Sequence, residues 1–298
     1  MRPLRERLAA GDVLVGDGAW GTMLMARGLP PGVAPETFNL DRTEVLEDVA
    51  RLYLEAGADL ITTNTFGGSP ARLREGGLEG QVCEVNRAAV LAVRQAVGDR
   101  AYVSASIGPS GLVLQPYGDA DPQAVAEGFG EQARALAEAG ADLFCVETMI
   151  DLHEARLAVS AARAAAPHLP IVATMTFEAT RRGFYTVMGA SVAEAARQLA
   201  EAGADLVGSN CGNGIAAMVA IAQAFHAVTD LPIAIQSNAG LPEIVDGQLR
   251  YAEPPATFAD AVPQLIAAGV RLIGGCCGTT PEHVRAIRAA VARCAAAS

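Results

Sequence analysis

The sequence predicts a single α/β domain folded as an eight-stranded (β/α)8 TIM barrel, with its active site at the C-terminal strand ends. Three observations lead there. The chain has 298 residues, a usual length for one barrel of this kind. A short signature recurs as Glu55-Ala56-Gly57-Ala58-Asp59-Leu60, Glu138-Ala139-Gly140-Ala141-Asp142-Leu143 and Glu201-Ala202-Gly203-Ala204-Asp205-Leu206, with a looser copy at Ala267-Ala268-Gly269-Val270-Arg271-Leu272. Each copy ends an amphipathic helix with a C-cap glycine and opens a short apolar strand. Copies lie about 60–80 residues apart, the length of two βα units. Finally, eight candidate strands fill this pattern. An open doubly wound sheet is the alternative. It calls for a glycine-rich phosphate fingerprint after a strand, and the sequence is read as offering none.

The strands are, in order, Val13–Asp17, Asp59–Asn64, Tyr102–Gly108, Asp142–Glu147, Ile171–Thr176, Asp205–Cys211, Ile233–Asn238 and Arg271–Cys276. They are short and apolar, as strands buried on both faces are. Helices between them carry readable starts. Asp121-Pro122 is an N-cap followed by proline at the first helical position. Ser191-Val192-Ala193-Glu194 is a capping box, and Thr280-Pro281-Glu282 opens the last helix. Residues from Pro30 to Pro35 and from Gln115 to Asp121 read as loops. Pro242 to Pro255 reads as a longer loop, with a hairpin turn at Asp246-Gly247. No linker or charge block divides the chain, so residues 1–298 read as one domain.

Composition excludes several classes. A net charge of −11 argues against nucleic acid or an anionic membrane surface as partner. No apolar run reaches the ~20 residues of a membrane span. The charged start, Met1-Arg2-Pro3-Leu4-Arg5-Glu6-Arg7, lacks a signal-peptide core, so a cytoplasmic location is expected. The six cysteines are then expected to be reduced rather than a disulfide framework.

In such a barrel the chemistry sits on the C-terminal rim. The strand ends there are Asp17, Asn64, Ser106 to Gly108, Glu147, Thr176, Asn210-Cys211, Asn238 and Cys276-Cys277. Cys211 and the adjacent pair therefore meet on one rim. Three thiolates with an open fourth position make a zinc site, and zinc of that kind activates a substrate thiol rather than water. Cys83, Cys145 and Cys294 read instead as small buried hydrophobes. The four histidines, 153, 168, 226 and 283, read as solvated or capping. Asp17 and Glu147 read as a general acid–base pair for glycosides or as ligands of a substrate ammonium, with a plain Asp-Gly turn as the bland reading of Asp17. Backbone N–H groups around Gly18 and Ala19 suit a carboxylate.

At these residues the chain resembles the homocysteine S-methyltransferase family over nearly its whole length. Asp17-Gly18-Ala19-Trp20-Gly21-Thr22, Thr63-Asn64-Thr65-Phe66-Gly67, Ile107-Gly108-Pro109-Ser110-Gly111, Glu147-Thr148, Asn210-Cys211, Asn238-Ala239-Gly240 and Gly274-Gly275-Cys276-Cys277-Gly278-Thr279-Thr280 carry the resemblance. It implies a zinc-bearing barrel that methylates homocysteine to methionine, with Cys211, Cys276 and Cys277 as zinc ligands. Asp17, Gly18, Ala19, Asn64 and Glu147 are implied to bind the substrate, and Asn238 to approach the metal in its absence. Pro35-Glu36-Thr37-Phe38-Asn39-Leu40 and Ile150-Asp151-Leu152 are similar to the homocysteine-binding module of cobalamin-dependent methionine synthases. Gly67-Gly68 after Phe66 does not support an aromatic cage for betaine. No corrinoid domain follows within this sequence, so a methylcorrinoid such as methylcobalamin is expected free or on a separate corrinoid protein. S-methylmethionine or betaine as donor, and a homocysteine-binding subunit of a larger complex, are the alternatives.

Overall fold

A computed structural model describes residues 1–245 and 248–297. Eight strands form one parallel sheet: β1 Leu14–Val15, β2 Leu60–Thr62, β3 Tyr102–Ile107, β4 Leu143–Met149, β5 Ile171–Met175, β6 Leu206–Asn210, β7 Ile233–Ser237 and β8 Val270–Gly275. Their order is β1-β8-β7-β6-β5-β4-β3-β2. A parallel bridge between Gly16 and Leu60 and an Asp59 N–H to Val15 carbonyl bond of 2.7 Å join the two ends, closing the barrel. Gly16-Asp17-Gly18-Ala19-Trp20-Gly21 does match the spacing of a dinucleotide fingerprint after β1, contrary to the expectation above. Closure of the sheet removes the open-sheet fold that would give that spacing its meaning.

The helices of the outer ring are α1 Thr43–Glu55, α2 Val82–Val97, α3 Pro122–Glu138, α4 Leu152–Ala165, α5 Val192–Ala202, α6 Ile215–His226, α7 Pro255–Ala267 and α8 Pro281–Ala297. The glycines that close the repeat, Gly57, Gly140, Gly203 and Gly269, all have φ between 78° and 109°, the left-handed conformation a helix C-terminus asks of glycine. Ser191 and Glu194 form the expected capping box at the start of α5.

The aspartates of the repeat have a shared task at the N-terminal end of the barrel. Asp59, Asp142 and Asp205 accept the backbone N–H of Val15, Val103 and Ile171 at 2.8, 2.7 and 2.8 Å. Each of those residues lies on the neighbouring odd-numbered strand. Each carboxylate is also paired with arginine: Arg7 and Arg288 on Asp59, Arg94 on Asp142, and Arg5 and Arg163 on Asp205.

Side chains of a strand alternate between faces. One residue from every strand (Leu14, Leu60, Tyr102, Leu143, Val172, Leu206, Ala234 and Leu272) forms an inner core, plugged from below by Leu4 of the N-terminal helix Leu4–Ala9. Counting up by two from this layer, β4 offers Cys145 and then Glu147, and β8 offers Gly274 and then Cys276. Period two thus converts an apolar floor into a polar rim. The outward faces pack on the helices in a second, larger core.

Of two hairpins on the rim, the first was not legible as strands, while the second is the hairpin expected around Asp246-Gly247. Glu178–Thr180 pairs with Gly183–Tyr185 after β5, and Pro242–Val245 pairs with Gln248–Tyr251 after β7. The Asp246-Gly247 turn lies outside the described residues. No helix among the described residues is long and apolar enough to cross a membrane.

Candidate active site and metal centre

Cys211 follows β6 with φ 58°, and Thr148, after Glu147 on β4, has φ 59°. A non-glycine residue in this region costs on the order of 1–3 kcal/mol, so both are held by their surroundings. The Cys211 N–H donates to Gln236 O at 3.1 Å, and its carbonyl accepts the Asn213 N–H at 2.8 Å. On the other side, the Cys276 N–H donates to Ser237 O at 2.7 Å and Cys277 O accepts the Ala239 N–H at 3.0 Å. β7 therefore acts as the spacer that brings both cysteine loops together.

The three sulfurs all lie within 4.8 Å of one another, with Cys211 Sγ 3.9 Å from Cys277 Sγ. These are free thiols, well beyond the ~2.05 Å of a disulfide. Tetrahedral Zn–S bonds of about 2.3 Å place sulfurs about 3.8 Å apart. Hydrogen bonds from the Cys276 and Cys277 thiols hold Cys211 down to about 3. Sharing with Cys211 pushes Cys277 up to about 11 and Cys276 well above its ordinary value. The cluster thus favours one thiolate, Cys211, and disfavours ionising its two neighbours, which a soft dication would be needed to offset. Asn238 is buried beside them. Its amide helps to lower the Cys211 thiol, while its Oδ1 has no hydrogen-bond partner. An orphaned buried oxygen next to three clustered thiols fits a soft, four-coordinate cation.

A cavity of about 660 Å³ opens over the thiols and is lined by Asp17, Trp20, Glu147, Thr148 and Tyr251 among others. Asp17 is 2% exposed. It accepts from Trp20 Nε1 at 2.8 Å, Thr62 N at 2.7 Å and Thr62 Oγ1 at 2.9 Å. Burial nevertheless pushes it up to about 6. Glu147 accepts from Ser106 Oγ and, at 3.4 Å, from Asn210 Nδ2. Burial pushes it up to about 7, with the Asp17 charge adding to the rise. A buried carboxyl and a half-buried one, close enough to sense each other and with no basic side chain among their hydrogen-bond partners, form a receptor for a cation.

Other expected residues are engaged differently. Asn64 Nδ2 donates to Pro35 O and Asn39 Oδ1, both at 2.7 Å, so its amide nitrogen holds the loop before it. The Ala19 N–H donates to Thr279 Oγ1 at 3.1 Å, tying this strand end to the cysteine loop, while Gly18 lines the cavity. Cys145 is buried as expected, but Cys83 is exposed; it lies on α2 off the face that buries Val82, Val85 and Asn86. His283 caps the Thr280 N–H at 3.1 Å, yet it is buried rather than solvated.

Two residues that the sequence reading named without giving them a role are drawn into the site. Asn210, fully buried, accepts the Thr148 N–H at 2.7 Å and Thr174 Oγ1 at 2.8 Å, and donates to Thr148 Oγ1 at 2.7 Å. Its amide nitrogen also lies 4.0 Å from Cys276 Sγ, so one side chain links the acidic and thiol parts of the site. The signal was its place one residue before Cys211 at a strand end. Buried Glu36 accepts the Gly67 N–H at 2.6 Å, and no local pattern announced it.

The family model for homocysteine S-methyltransferase matches residues 14–291. Methionine synthase of Mycobacterium leprae is 34% identical over 98% of the chain, and that of Mycobacterium tuberculosis 33% identical over 94%. The chain spans 25% of the length of these two relatives. Among solved structures, the metallated form of the homocysteine methyltransferase MmuM from Escherichia coli superposes with a TM-score of 0.80 at 27% identity, covering 97% of this chain and 99% of that one.

Proposed function

The chain belongs to the homocysteine S-methyltransferase family, and from that premise we propose that it transfers a methyl group to the thiol of homocysteine to give methionine, with zinc held by Cys211, Cys276 and Cys277. The observation that carries this reading is the sulfur triad, gathered within 4.8 Å on the rim of the barrel. When bound, zinc with three thiolate ligands lowers the pKa of an incoming thiol and leaves its sulfur electron-rich enough to attack carbon. Asp17 and Glu147 take the substrate ammonium, the cation that their carboxylates lack. Trp20 and Thr62 aim Asp17, and Ser106 and Asn210 aim Glu147. Gly18, Ala19 and Asn64 shape the wall against which the amino-acid end rests, and Asn238 stands beside the metal position. The cavity walls limit water at the thiol. As the sulfur–carbon bond forms, the carbon–donor bond breaks with its electron pair left on the donor, and the thiol proton passes to solvent.

For the donor we take a methylcorrinoid, methylcobalamin or its protein-bound form, supplied from outside residues 1–298, which we read as one domain at work in the reducing cytoplasm. Exposed apolar side chains on the rim loops support a large donor. Val113, Tyr117, Ile150, Val187, Leu241 and Ile244 are between 41% and 83% exposed, and all follow the C-terminal ends of strands. Scattered exposure is ordinary, but concentration on loops at one end of the barrel suits contact with a macromolecule. A second reading is a small-molecule donor such as S-methylmethionine: MmuM, a homocysteine methyltransferase, is matched by this one barrel over 99% of its length. A screen of methylcobalamin, S-methylmethionine and betaine at fixed homocysteine, with and without chelator, separates the two. Methionine is expected from methylcobalamin and only with metal present. Full activity in metal-free Cys276→Ala protein would sink the proposal.

A further inference from the structure

We infer that Glu253 and His283 are positioning residues that set the spacing of the two cysteine loops; this rests on the reading of the triad as a metal site. Glu253 lies between the rim hairpin and α7, outside any pattern in the sequence. Its Oε2 accepts the Ile215 N–H at 3.0 Å, the first residue of α6, four residues beyond Cys211. That helix start has no side-chain cap of its own. The approach is built in: a Cβ at Gly214 would meet Glu253 Oε1 at 2.1 Å, and one at Gly240 would meet its Cγ at 3.1 Å.

The backbone of Glu253 ties the other loop. Its N–H donates to Ala239 O at 2.9 Å, and the Ala239 N–H donates to Cys277 O at 3.0 Å. Its carbonyl lies 3.0 Å from His283 Nε2, while His283 Nδ1 lies 3.1 Å from Thr280 N. The Thr280 amide can only donate, so Nδ1 accepts, and Nε2 carries the hydrogen that Glu253 O receives. The ring is 6% exposed and stands edge-to-face on Phe258 with centroids 5.0 Å apart. A closed circuit therefore runs from Cys277 through Ala239, Glu253 and His283 to Thr280, with the Glu253 carboxylate as its branch to the Cys211 loop. Groups that orient metal ligands typically control affinity by about 10–100-fold.

The test loads the full chain with zinc or cobalt(II) and measures affinity by chelator competition together with the cobalt absorption spectrum. Glu253→Ala and His283→Leu are expected to lose about 10–100-fold in affinity and to show weakened and shifted sulfur-to-cobalt bands. Glu253→Gln keeps an acceptor for Ile215, and His283→Gln keeps a donor for Glu253, so both are expected to recover most of the loss. Gly214→Ala, which displaces the carboxylate without removing it, is expected to resemble Glu253→Ala and covers the case in which a truncated variant fails to fold. Wild-type affinity and spectrum in Glu253→Ala, His283→Leu and Gly214→Ala would overturn the inference alone. So would glutamine variants as impaired as the truncations. Failure of the wild-type chain to bind one metal would overturn the metal reading and this inference with it.

Discussion

Asp17 and Glu147 sit at the expense of stability, and the sign of that effect is measurable. Both carboxyls are raised in the folded chain, to about 6 and about 7 from ordinary values of 3.8 and 4.5. They bind their protons more tightly folded than unfolded, so their contribution falls as pH rises from about 4 to 7. For Glu147 the loss is roughly 3 kcal/mol. In metal-free, substrate-free protein, Glu147→Gln is expected to be more stable than wild type at pH 8, with the gap closing below pH 4 in urea titrations. An equal gap at both pH values would refute this assignment. Substrate affinity runs the other way, because the ammonium needs ionised partners. Homocysteine binding is expected to strengthen as pH rises through 6–7, and Glu147→Gln to flatten the upper part of that rise. Asn210→Ala should cost about 2–4 kcal/mol, since it strands the half-buried Thr148 N–H and the buried Thr174 hydroxyl, and should weaken metal and homocysteine together. The strand-end residues were legible because period two and an apolar strand dictate which residues reach the rim. Asn210's links to Thr148 and Thr174 were not, because they cross between strands far apart in sequence.

At the scale of elements, the repeat was legible as helix endings and strand starts because glycine caps and apolar runs are local signals. The role of its aspartates was hidden. Asp205 is useful only once Ile171, Arg5 and Arg163 stand beside it. Asp205→Ala is expected to lower stability by about 2–4 kcal/mol, seen in urea unfolding, while leaving metal affinity and homocysteine binding unchanged. A loss of metal at unchanged stability would contradict that assignment. The floor of the barrel was hidden for the same reason. Leu4 lies in a charged terminal segment that reads as exposed, and only the closed barrel gives it a place to be buried. The hairpin at Glu178–Tyr185 carries Arg181-Arg182 and little apolar alternation, so its pairing left no period to detect.

Across the whole molecule, one end of the barrel is locked by ion pairs and the other gathers the thiols, the acids and the exposed apolar loops. If the donor arrives on a macromolecule, charge placed on the rim should hinder it selectively. Val187→Glu with Ile244→Glu is expected to slow methyl transfer from a corrinoid protein by tenfold or more, about 1.4 kcal/mol, and to leave transfer from free methylcobalamin unchanged. Equal effects on both donors would remove the rim from the account. The central claim, that the thiol triad holds a metal which ionises the substrate thiol, is tested most directly by calorimetry in buffers of differing ionisation enthalpy. Homocysteine and homoserine bring the same ammonium and carboxylate, so any proton displaced from Asp17 or Glu147 is common to both. Homocysteine is expected to release about one proton more than homoserine near pH 7 on binding the zinc-loaded chain, and Cys276→Ala to abolish the excess. Equal proton release by the two ligands would contradict the account.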